Sequence, residues 1–143
     1  MSEQFELLTD LDDAAIAALL DVVRDGPDLV LDVVQVRQLG GAFTRASATD
    51  GPAGAIEEPY MLAGLAVPLT PEVGMRIQTV LAEIADAMSP WLSGRTPFNF
   101  LGAGHDPTHA LPAAALRRLS AVKGAVDPDR LFRSNRPIPA GTS

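Results

Sequence analysis

Hydrophobic residues recur at three- and four-residue spacing in three stretches of this chain, and at alternate or consecutive positions in the stretches between. Leu11, Ala15, Ala18, Leu19 and Val22 share one face of a helix predicted over residues 11–24. Thr9 and Asp12 offer a capping pair, Asp12 and Asp13 put negative charge in the first turn, and Gly26-Pro27 stops the run. A longer stripe of Val73, Ile77, Val80, Leu81, Ile84 and Met88 follows Thr70 as N-cap and Pro71 at the first helical position; Pro90 ends it. The third helix is predicted from Pro112 to Gly124, with Leu116, Leu119 and Val122 inward.

Between the helices the pattern turns to strands. Leu29 to Leu39 is Val-rich and broken by Asp32, Gln35, Arg37 and Gln38; Gln35 and Arg37 share a face with Leu39, and Val34 and Val36 take the other. Tyr60 to Leu69 is apolar nearly throughout, which predicts a strand covered on both faces. Thr96 to Leu101 is a short aromatic strand candidate. Thr44 to Glu58 is small, polar and Gly/Pro-bearing, an exposed loop in which Glu57 and Glu58 read as a solvated charge pair. Asp127-Pro128-Asp129 forms a turn, and Pro137 onward an extended tail. The predicted fold class is α+β, a small antiparallel sheet of about three strands backed by helices in the order α-β-β-α-β-α. Three strands leave two sheet edges open, so a partner is expected, a second copy of the chain in the first instance.

Composition narrows the functions. The 143 residues suit one domain, residues 1–143, and 47% hydrophobic content supports a packed core. A net charge of −7 disfavours nucleic acid and anionic membrane surfaces as partners. With no cysteine, disulfides, thiolate nucleophiles and iron–sulfur sites are excluded together. No apolar run reaches the ~20 residues of a membrane span, and the acidic N-terminus is unlike a secretory signal; a cytoplasmic location is expected.

The segment Phe98-Asn99-Phe100-Leu101, followed by Leu116, Leu119, Val122 and Lys123 and then by Asp127-Pro128-Asp129-x-Leu131-Phe132-Arg133-x-Asn135-x-x-Ile138, resembles the C-terminal berberine-like segment of the berberine bridge enzyme family of FAD-linked oxidases. Upstream, Val36-Arg37-Gln38-Leu39-Gly40-Gly41-Ala42 resembles that family's strand ending in Leu-Gly-Gly-Ala, and Pro90-Trp91-x-x-Gly94-Arg95 its proline-tryptophan turn. The resemblance implies half of a substrate domain without the FAD-binding domain that precedes it in full-length members. It implies no cofactor held by this chain alone: covalent flavin in the family is anchored through His, often with Cys, in the other domain. The family's tyrosine two residues before the strand asparagine is replaced here by Pro97, and the flanking Phe98 and Phe100 cannot move protons.

The candidate substrate cavity accordingly comprises Phe98, Asn99, Phe100, Gln35, Arg37 and Tyr60, with the catalytic residues unassigned. Asn99 reads equally well as a buried amide and as a group beside ligand; Asn99 and Asn135 would approach a flavin only if another chain supplied one. His105 and His109 have the i,i+4 spacing of a metal pair, but Pro107 interrupts them and no metal is expected. Three roles remain: a substrate-binding or accessory module completing a separate FAD-binding chain; a flavin-free cyclase or isomerase that folds a hydrophobic metabolite; or a non-catalytic remnant.

Overall fold

The computed structural model describes residues 1–23, 30–47, 50–102, 105–134 and 136–138. Six elements organise it: strand β1 (Ser2–Leu8), helix α1 (Asp13–Val23), strands β2 (Val33–Gln38) and β3 (Tyr60–Ala66), and helices α2 (Pro71–Met88) and α3 (Ala113–Val126). The class is α+β with one three-stranded antiparallel sheet, as predicted, but the order is β-α-β-β-α-α. Residues 2–8, unassigned from the sequence, form a strand, and the aromatic segment expected as one is a 3-10 turn at Phe98–Phe100.

The sheet order is β1-β3-β2, so β3 is central, and its register pairs Ala63 with Phe5 on one side and with Gln35 on the other. Five of its seven residues are buried, the signature anticipated from its unbroken apolar run. The strand stops at Ala66 rather than Leu69, which is exposed. β2 is likewise shorter than expected. Its Asp32 lies just outside, where the carboxylate accepts from the Val67 amide at 2.8 Å and fastens the strand's start to the end of β3.

One sheet face carries α1 and α2. Leu8, Leu62 and Ala66 from the strands, Ile77, Leu81, Ile84 and Met88 from α2, and Ala15 from α1 make the main core. α2 behaves as its sequence predicts: the Thr70 hydroxyl accepts from the Val73 amide at 3.3 Å and Pro71 opens the helix. For α1 the cap is Asp12 alone, which accepts from the Ala15 amide at 2.7 Å. Thr9, the other half of the expected pair, instead donates its hydroxyl to the Trp91 carbonyl.

β1 is an open edge only in name. Thr9 N–H donates to Trp91 O, Ser93 N–H to Leu7 O, and Leu7 N–H to Arg95 O, each at 2.9 Å, and the Thr96 hydroxyl donates to Phe5 O at 2.8 Å. Residues 91–96 therefore satisfy that edge as an irregular fourth strand. The expected pair of open edges reduces to one: β2 has no strand on its outer side among the described residues.

α3 stands away from the sheet. Leu116 and Leu119 pack on a separate small cluster of Leu101, Ala110 and Leu111, while Val122, expected inward, is exposed. A turn after α3 is organised around Asp127. Its carboxylate accepts from the Lys123 ammonium, from Leu131 N–H at 2.8 Å and from Phe132 N–H at 3.2 Å. The Arg136 guanidinium then ties the following segment to the Leu101 carbonyl, beside the aromatic turn.

Candidate functional site

The sheet face without α1 and α2 carries Phe5 and Leu7 of β1 and Met61 and Ala63 of β3, joined by Leu39, Ile56 and Phe100. Alternation places them there: each is two residues from a like neighbour, so each strand sends the intervening residues to the helices. The Phe98–Phe100 turn is laid over this face. Phe100 stacks on Phe5 with ring centroids 4.3 Å apart and planes 29° from parallel.

Beside that stack lies an open cavity of about 180 Å³. Phe98, Asn99 and Phe100 line it together with Phe43, Ile56 and Arg95. Phe43 is held in place through its carbonyl, which accepts from the Ile56 amide at 2.8 Å. Among the described residues, no carboxylate, histidine or tyrosine lines the cavity, and the polar side chains that do are those of Arg95, Thr96 and Asn99. Thr96 is committed to the Phe5 carbonyl, which leaves Arg95 and Asn99 to meet a ligand.

Arg95 is positioned from behind by Glu58. Its Nη1 lies 3.1 and 3.2 Å from the two carboxylate oxygens of Glu58, a residue only 8% exposed. The solvated pair expected at residues 57–58 is thus divided, with Glu57 exposed and Glu58 buried against a cation. Burying a carboxylate is costly without a partner, and the partner lies 37 residues on in the chain.

Of the six cavity residues expected from the sequence, the fold brings together Phe98, Asn99 and Phe100. Gln35 and Arg37 are on the correct sheet face, opposite Ala63 and Met61, but both are exposed and do not line the cavity. The Arg37 Nε–H donates to Gln35 Oε1 at 2.8 Å, so the two chiefly satisfy each other. Tyr60 is on the other face, packed against the helix-side core, because it lies at the register position opposite Gln38 and Leu8. Asn135 lies outside the described residues. Sequence reasoning missed Phe43, Ile56 and Arg95; the only signal was Arg95's place in the turn after Trp91.

The histidine pair does not converge on a site. His105 Nδ1 accepts from the Gly102 amide at 3.1 Å, and His109 Nδ1 lies 3.1 Å from the Asp106 carbonyl, so each ring serves its own loop. The backbone and side-chain hydrogen bonds of Thr108 hold the Asp106 carboxyl below its ordinary range. Among the described residues, no group of three or more His, Asp or Glu side chains could hold a metal ion, and no helix is long and apolar enough to cross a membrane.

At the helix N-termini, Asp12 caps α1 and Thr70 caps α2, where Glu72 adds a negative charge, whereas α3 begins after Pro112 without a side-chain cap. The cavity is smaller than the roughly 300–1,000 Å³ of ordinary ligand pockets. It offers an apolar wall and two polar groups, enough to hold part of a ligand.

A three-stranded antiparallel sheet with helices on one face and an aromatic-lined cavity on the other defines an α+β fold. In fold the chain is similar to the wild-type BBE-like 1 protein of Physcomitrella patens, with 16% identity and a TM-score of 0.80. A variant of the same protein matches with 17% identity and a TM-score of 0.75. Both matches cover 99% of this chain and 31% of the other, so the whole chain has the fold of about a third of a BBE-like protein. No protein-family model and no curated protein matches it in sequence.

Proposed function

We propose that this chain is the substrate-side module of an FAD-linked-oxidase-like assembly. It holds an apolar ligand against Phe98 and Phe100 while a separate unit, on this or another polypeptide, supplies the flavin. The observation that carries this reading is the open cavity on the helix-free sheet face, bounded by the aromatic turn, within a chain whose entire fold resembles part of a BBE-like protein. The small volume fits a site with one wall still to be added. A lining that, among the described residues, carries no carboxylate, histidine or tyrosine fits a module that orients substrate and leaves the chemistry to its partner.

The same openness supports a second reading, a flavin-free cyclase or isomerase acting by shape. Orientation alone can contribute roughly 7–11 kcal/mol to a barrier without any proton-moving group.

An absorption spectrum of the purified 143-residue chain between about 350 and 500 nm, before and after gel filtration with added FAD, tests the first reading. It should remain colourless in both. One equivalent of retained flavin would overturn the division of labour.

A further inference from the structure

The contacts around Arg95 specify what kind of ligand the cavity takes. The guanidinium has five N–H donors in a planar fork. The contact with Glu58 is made by Nη1 alone, and Nη2 and Nε have no protein partner among the described residues. The side chain is 36% exposed and lines the cavity, whereas its Glu58 partner is nearly closed off at 9%. A buried carboxylate therefore fixes one end of the fork and leaves donors beside an apolar wall.

Charge decides the ligand's chemistry. Arg95 alone would attract an anion, but Glu58 neutralises it at contact distance, and the chain carries a net charge of −7. A ligand carboxylate would meet that field as well as the guanidinium. A neutral acceptor oxygen receives the donors without such opposition. The apolar space suits a ring: a cavity of comparable size, roughly 150 Å³, admits benzene.

We propose that Arg95, held by Glu58, reads the neutral carbonyl oxygen of an aryl ketone or quinone-like ligand whose ring lies against Phe98 and Phe100. This rests on the cavity being a ligand site, as proposed above. Arg95 is then a specificity-determining residue and Glu58 the residue that positions it and sets the charge it presents.

Three probes of similar size separate the possibilities: acetophenone, ethylbenzene and benzoate, each titrated into the full chain by NMR, with the ring resonances of Phe98 and Phe100 as reporters in parent and variants alike. Acetophenone should bind about tenfold more tightly than ethylbenzene, the scale of one hydrogen bond to a charged donor, and more tightly than benzoate. Arg95→Lys, which keeps the charge beside Glu58 but loses the fork, should erase the preference over ethylbenzene while ethylbenzene still binds. Glu58→Gln should raise benzoate above acetophenone, because the cation is then uncompensated. Equal binding of acetophenone and ethylbenzene to the parent, or an unchanged preference in Arg95→Lys, would overturn the role of Arg95 and leave the cavity standing. Failure of every probe to bind the parent would overturn both.

Discussion

Gly64 of β3 and Leu81 of α2 are in such close approach that a Cβ added at Gly64 would lie 2.6 Å from Leu81 Cδ2. The glycine lets the helix settle onto the central strand, and Leu81 occupies the space that a side chain would need. Gly64→Val should therefore destabilise the fold by about 1–3 kcal/mol through overpacking. Adding Leu81→Ala should recover part of that loss, with a coupling of about 0.5–3 kcal/mol between the two sites. Urea unfolding of the four members of the cycle measures it, and strict additivity would mean that the contact is not limiting.

Ile77 is fully buried and Leu81 is 4% exposed in the core beneath α2. Replacing either by alanine should cost about 2–5 kcal/mol. A midpoint equal to that of the parent would show that α2 does not anchor the sheet.

Acid should loosen the turn after α3. The Lys123 ammonium, followed by the Leu131 and Phe132 amides, holds the Asp127 carboxyl below its ordinary value, although its burial acts in the opposite direction. A carboxyl whose folded pKa lies below its unfolded value of about 3.9 gives stability that is complete above that value. The contribution is lost as pH falls through the folded pKa. Between about pH 5 and pH 2, the parent's melting temperature should fall more steeply than that of Asp127→Asn. Parallel curves would remove Asp127 from the acid response.

The outer edge of β2 leads us to expect a homodimer formed by edge pairing, since Val34 and Val36 are only half-buried there. Sedimentation at micromolar concentration should give twice the monomer mass. Val33→Lys, at a position 44% exposed on this edge, should shift it toward monomer. A monomeric parent would refute the pairing.

Phe98→Asp should abolish ethylbenzene binding and lower the melting temperature only in part, because Phe98 is half-buried and packs on the small Leu101, Ala110 and Leu111 cluster but lies outside the two sheet-face clusters, so the sheet should stay folded. His105→Ala should leave binding intact. Loss in the His105 variant alone would move the site to the other end of the 101–109 loop.

Local chemistry determined α2, β3 and the fold class from the sequence by itself. A cap followed by proline and a 3.6-residue stripe is realised within one helix, and a run apolar on both parities has to be the covered central strand. The composition of Phe98-Asn99-Phe100 suggested a strand, but only the tertiary structure decided otherwise: the segment is a 3-10 turn laid over the sheet, with Phe100 stacked on Phe5 of β1. β1 escaped notice because Ser2, Gln4 and Glu6 dilute a seven-residue signal, although Phe5 and Leu7 alternate with them correctly. Its strand identity depends on β3 and on residues 91–96, both distant in sequence. Glu58 shows the same limit most plainly. Nothing beside it in the chain announces burial, and the cation that makes burial tolerable comes from the far side of α2. Periodicity reports which face a residue turns inward; which distant residue meets it there is settled only when the elements pack.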